Sequence, residues 1–262
     1  VKLFLTMFLF FSVMLNAEQP TPHSTNDCVS FTPFGLPMST KANTKLICRS
    51  AYITLNDLNA RLPVYVAYTL TPDHAIGCLP RKNQFSTDQS LPIDSRATPE
   101  DYEKSGYDIG HMSPDSDNSF NAIAMQESFI LSNMSPQLPG LNRENWEQLE
   151  SSIRNWAVAT NHSLTIYVGP IYTNTDPTMG NNKVVVPHGF YKIVIDDTTH
   201  HVLEFVYPQA DEPKSVPLSK FLVSHVDVDI TFPLPADAVI DTTLWPLTND
   251  ETAKKKIVCE IK

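Results

Sequence analysis

The sequence predicts a mixed α+β fold with a strand, loop and helix unit at its centre. Runs rich in β-branched and aromatic residues recur along the chain, as strands require. One stretch, beginning at Asn142, spaces its apolar residues at helical intervals. No Gly/Ser linker, charge block or internal repeat divides the 262 residues, and a body of this size fits one domain.

The first segment is an address. Lys2 precedes an apolar run from Leu3 to Leu15, followed by Asn16-Ala17 and polar Glu18-Gln19-Pro20. A short apolar core with small-residue cleavage spacing reads as a secretory signal peptide cleaved after Ala17, too short for a membrane anchor. A secreted or periplasmic location without stable membrane association is expected. Residues 18–45 are polar and Pro/Thr-rich and predict an extended arm pinned by Cys28, leaving 46–262 as the single domain.

Cys28, Cys48, Cys78 and Cys259 would meet an oxidising compartment, where such thiols pair. Their spacing excludes CxxC metal or redox motifs. All pairings remain open, with Cys28–Cys48 and Cys78–Cys259 preferred.

Leu62 to Leu70 predicts a strand, 71–106 an irregular stretch, and Tyr107 to His111 a short strand whose Gly106 and Gly110 permit a tight course. Asn118 to Gln126 predicts a short helix, and Phe129 to Met134 a buried strand broken by Pro136 and Pro139. Trp146, Leu149, Ile153, Trp156 and Ala157 then follow helical spacing, with Asn142 as N-cap and Glu144 and Glu147 near the positive end of the dipole. Leu164–Gly169, Lys183–Ile195 and Val202–Tyr207 predict three more strands.

With 29 acidic against 19 basic residues, the chain lacks the basic face of a sequence-reading DNA-binding protein. A nuclease is compatible, because a metal and a few arginines can supply positive charge locally. The 21 prolines against 8 glycines indicate a rigid, loop-rich surface.

Three segments carry chemistry: Ser105 to Pro114 (SGYDIGHMSP), Asn133 to Gln137 (NMSPQ) and Leu141 to Glu150 (LNRENWEQLE). His111 is a candidate general base, since imidazole titrates near neutrality. Asn142 and Glu150 stand eight residues apart, a little over two helical turns, and so share a face. An amide oxygen and a carboxylate there suit Mg²⁺, which keeps several waters. Arg154 neighbours Glu150 on that face, either pairing with it or reaching a phosphate. Singly, each has a bland reading as core histidine, helix cap or surface charge.

These segments resemble the DNA/RNA non-specific endonucleases, the ββα-metal or His-Me finger nucleases, whose pattern includes RxxxF, SGYDRGHMAP, SNMxPQ and LNxxxWxxLExxxR. The landmarks here run from Arg81 to Pro235. The resemblance implies a central, mainly antiparallel sheet flanked by helices and hydrolysis of DNA and RNA to 5′-phosphate products. His111 would deprotonate water and Asn142 would bind a single Mg²⁺, with Mn²⁺ as substitute. Glu150 would orient water from outside the cation's inner shell. Arg154 and Arg81 would hold phosphate, and Asn133 would position the active-site loop. An inhibitor protein is a further candidate partner.

One position departs from the pattern. The arginine of DRGH is Ile109 here, and an isoleucine offers nothing to an oxyanion. Two alternatives to an active nuclease therefore stand beside it: a catalytically weakened nucleic-acid-binding or surface protein, and a phosphodiesterase for a small nucleotide.

Overall fold

The structure, a computed structural model, describes residues 22–247. The expected signal peptide and Cys259 lie outside the described residues.

Six strands form the body of one sheet: β1 (Thr44–Cys48), β2 (Ile53–Asp57), β3 (Leu62–Leu70), β6 (Leu164–Ile171), β7 (Gly189–Asp196) and β8 (His201–Pro208). Their order is β8-β7-β6-β3-β2-β1 and every pairing is antiparallel. The short strand Leu222–Val223 extends the sheet beyond β8, and Val239–Ile240 adds to β8 in parallel. Outside the sheet, β4 (Asp108–His111) and β5 (Met134–Gln137) make their own antiparallel pair, with His111 opposite Met134. The longer helices are α1 (Ala122–Ser128) and α2 (Glu147–Thr160).

Side chains alternate across the sheet, as a strand's period of two requires. Leu164, Ile166 and Val168 of β6 join Phe190 and Val194 of β7 on one face, where α2 lays down Leu149, Ile153, Trp156 and Ala157. The opposite face carries Tyr167, Tyr191, Ile193 and Ile195 and is covered by Phe31, Phe34, Phe232 and Leu234. Both faces are thus apolar, which explains why β6 and β7 read as nearly continuous hydrophobic runs. No helix among the described residues is long and apolar enough to cross a membrane.

Several expectations change. The arm is not extended throughout: Thr25–Phe31 is a 3-10 helix, because Phe31 must turn onto the sheet. The Cys28–Cys48 disulfide pins it as expected. Cys78 is also disulfide-bonded. The predicted strand 129–134 is instead a 3-10 turn, Leu131–Asn133, with the strand beginning at Met134. Pro136 lies inside β5 opposite Ile109. A proline is tolerated there because the pair is two-stranded and its missing donor faces no second neighbour. Asn121, not Asn118, opens α1, accepting from the amides of Ile123 and Ala124 at 2.8 and 3.2 Å. The run 183–195 divides into Val184–Val185 and β7, with Pro187 between them.

Asn142 is not an N-cap. It sits within a π-helical turn, Leu141–Trp146, and donates its backbone N–H to Leu138 O at 2.9 Å. Its side chain is committed elsewhere, as described below.

Gly110 couples the two strands that carry the site. A Cβ there would stand 2.0 Å from Gln137 Oε1 and 2.7 Å from its Cγ, and Gln137 is fully buried. Gly110→Ala is expected to destabilise the protein by about 1–3 kcal/mol through overpacking, measured by thermal or urea melting. An unchanged melting temperature would mean that Gln137 moves aside without cost.

Candidate active site

A cleft of about 640 Å³ opens where β4, the π-helical turn and α2 converge. Arg81, His111, Asn142, Glu150 and Arg154 all line it. The expected group is therefore assembled, except for Asn133.

Asn133 is fully buried behind the cleft. Its Oδ1 accepts from Ser113 N at 2.9 Å, and its Nδ2 donates to Ser113 O at 2.8 Å and Ser128 O at 2.9 Å. It clamps the chain leaving His111 to the end of α1. That is a positioning role and not a chemical one.

His111 ends β4 between aromatic rings, with centroids 5.7 Å from Phe85 and 5.0 Å from Phe129. Burial, with the charge of Arg81 added, lowers its pKa to about 3. The imidazole is consequently neutral throughout the neutral range. Nε2 is buried with no hydrogen-bond partner among the described residues, which leaves Nδ1 as the nitrogen that can meet water. For Nδ1 to accept a proton, the ring must carry its own on Nε2.

Asp108 ties β4 to the helical side. Its Oδ2 accepts from Asn142 Nδ2 at 2.9 Å and Arg143 Nε at 2.7 Å, and its Oδ1 from an Arg143 terminal nitrogen at 2.6 Å. Burial pushes this carboxyl up, but the bonds from Arg143 and Asn142 prevail and hold it below the usual range. With its amino group on a carboxylate, the Asn142 amide has only one satisfactory orientation, and Oδ1 is left without a donor among the described residues.

Glu150 is buried one turn into α2. Fully buried Lys192, on β7, donates to its Oε1 at 3.2 Å and lies 4.4 Å from the centre of the Trp146 ring. Burial raises the Glu150 pKa, Lys192 opposes the rise, and the net direction is up. Glu150 Oε2 accepts no hydrogen bond among the described residues. Asn142 Oδ1 and Glu150 Oε2 are thus two hard oxygen donors lining one cleft, a set that fits a divalent cation retaining most of its waters. No cluster of three or more His, Cys, Asp or Glu suited to a metal occurs among the described residues.

Arg154 donates to Asp117 Oδ1 at 3.0 Å and to Ser151 Oγ at 3.4 Å, rather than to its helical neighbour Glu150. Asp117 Oδ2 accepts from Tyr68 at 3.0 Å. Arg81 pairs with Asp115 and donates to Asn83 Oδ1 at 2.6 Å. Each cleft arginine therefore faces a carboxylate that orients its guanidinium.

The sequence assigns no role to Asp108, Asp115, Asp117 or Lys192. The aspartates sit within three to six residues of His111, but nothing in their spacing names the partners they hold. A lysine in the otherwise apolar run Phe190 to Ile195 was a legible signal, since a buried lysine needs a partner.

A neutral imidazole, two oriented guanidinium groups and a pair of hard oxygens in one cleft are the groups that hydrolysis of an anionic ester requires. The comparisons agree. Residues 32–230 match the DNA/RNA non-specific endonuclease family. Human mitochondrial endonuclease G is 32% identical over 206 residues, covering 72% of this chain and 67% of that protein. The mitochondrial nuclease of Saccharomyces cerevisiae is 31% identical over 231 residues, covering 81% and 68%. A chain in the crystal structure of the EndoG/EndoGI complex superposes with a TM-score of 0.67 at 27% identity, covering 74% of this chain and 84% of that one. The chain belongs to the DNA/RNA non-specific endonuclease family, hydrolases acting on phosphodiester bonds.

Lys192→Met would leave Glu150 buried without its counter-charge. Protonation of Glu150 then occurs at higher pH, so the acid limb of kcat/KM should move upward and activity should recover as the pH rises. Breaking the buried pair should also cost about 3–5 kcal/mol, measured by denaturant titration. An unmoved acid limb in folded protein would remove Lys192 from the account.

Proposed function

We propose that this chain is an exported, divalent-cation-dependent endonuclease that cuts DNA and RNA without sequence preference. The observation that carries the reading is His111, neutral and with Nδ1 available, in one cleft with the free oxygens of Asn142 and Glu150. Mg²⁺ is the proposed cation and Mn²⁺ its substitute, since both take oxygen ligands. Held by Asn142, with Glu150 ordering the water around it, the cation would supply charge stabilisation to the phosphate and the leaving oxygen.

The other steps fall to side chains. His111 Nδ1 takes the proton of the attacking water. Arg81 and Arg154 offer guanidinium hydrogens to the phosphate oxygens while Asp115 and Asp117 hold them in place. Cleavage that leaves a 5′-phosphate and a 3′-hydroxyl completes the proposed reaction.

Export is supported by the apolar run from Leu3 to Leu15 and by the Cys28–Cys48 disulfide, which belongs in an oxidising compartment. An inhibitor protein is a proposed partner, because the structural neighbour was determined in an inhibited EndoG/EndoGI complex. Ile109 favours the second reading, a weakened nuclease that mainly binds nucleic acid, because it removes a cation from the β4 side of the cleft.

Purified protein with Mg²⁺ should degrade plasmid DNA and structured RNA. His111→Ala should be slower by about 10²–10⁴-fold, the usual contribution of a general base. Degradation undiminished in the variant would overturn the mechanism, and none by the wild-type protein with any divalent metal would favour the binding protein.

A further inference from the structure

The cleft carries an apolar strip among its charged groups. The π-helical turn and α2 contribute Asn142, Arg143, Glu150 and Arg154, and Arg81 and Asp115 add charge near His111. Between them the lining includes Phe85, Tyr107 and Ile109. Tyr107, Ile109 and His111 are alternate residues on β4 and its lead-in, so they stand in a row on one side of the strand. Phe85 stands beside the same histidine, its ring centre 5.7 Å away. All three packed residues rest on the cluster of Leu62, Met134 and Val184, yet each is only partly buried and keeps surface in the cleft.

Apart from the Tyr107 hydroxyl, this surface offers a phosphodiester backbone neither charge nor hydrogen bonds. A nucleobase does, because every base has a flat π-face that packs on aromatic and apolar side chains. In a duplex those faces are covered by stacked neighbours. Only an unpaired or extruded base can present one, and extrusion costs unstacking energy. Ile109 strengthens the apolar row, since a cation at that position would interrupt it between Tyr107 and His111.

We propose that Phe85, Tyr107 and Ile109 form a stacking subsite for an unpaired base adjoining the scissile phosphate, making single-stranded nucleic acid the preferred substrate. The proposal rests on the nuclease reading above and specifies its substrate.

The test compares kcat/KM for a single-stranded oligonucleotide and its duplex, at the same Mg²⁺ and ionic strength, for the wild-type protein, Tyr107→Ala, Tyr107→Phe and Ile109→Arg. The wild-type protein should prefer the single strand by about 10-fold or more. Tyr107→Ala should lower single-strand cleavage about 10-fold and duplex cleavage far less, while Tyr107→Phe keeps the preference. Ile109→Arg should raise duplex cleavage relative to single-strand cleavage. A wild-type ratio near one, or equal losses on both substrates in Tyr107→Ala, overturns the subsite and leaves the nuclease standing. Absence of cleavage of either substrate by folded wild-type protein overturns the nuclease reading, and the subsite with it.

Discussion

One carboxylate, that of Asp108, joins the two halves of this active site. The proposed base, His111, is carried on β4 and the oxygens of Asn142 and Glu150 on the helical segment, some thirty residues further along the chain. Asp108 bridges them through Asn142 and a two-pronged contact with Arg143. Because the bond uses the Asn142 amino group, it also decides which end of that amide is available. Asn142 lies within the widened π-helical turn, and its side chain bonds Asp108 rather than capping a helix.

Beneath this joint, α2 rests on ionic partners as well as on apolar packing. Lys192 and Glu150 are both buried, and Arg154 is gripped by Asp117, which Tyr68 also supports. Removing such charges from water costs several kcal/mol per ion, which a good pair only partly repays. A core of leucines would be cheaper to build. The arrangement instead presents one carboxylate and one guanidinium to the cleft in fixed orientations, the form of preorganisation that electrostatic catalysis requires.

Much of this was legible in the sequence. The strand Leu62–Leu70 was read to the residue, and Arg81, His111, Asn142, Glu150 and Arg154 meet in one cleft. Local order in the motifs carries that information, since spacing along one helix fixes a shared face. Contacts between distant segments carry no such signature. Hence the expected pairing of Arg154 with Glu150 gives way to a bond with Asp117, and the Asp108 bridge has no signature in the sequence. The turn at Leu131–Asn133 was read as strand because apolar content alone does not distinguish the two, and the three bonds made by Asn133 decide the matter. Strands β1 and β2 were missed because neither run is long or strongly alternating.

In the proposed site, Asp108 presents the Asn142 oxygen to a cation. This is tested most directly by Mn²⁺ binding to the wild-type protein and to Asp108→Ala, followed by electron paramagnetic resonance or calorimetry, with folding checked by circular dichroism. Loss of an orienting partner to a metal ligand typically costs 10–100-fold in affinity, and a fall of about that size is predicted. Equal affinities in two folded proteins would mean that Asp108 does not orient a ligand of the cation.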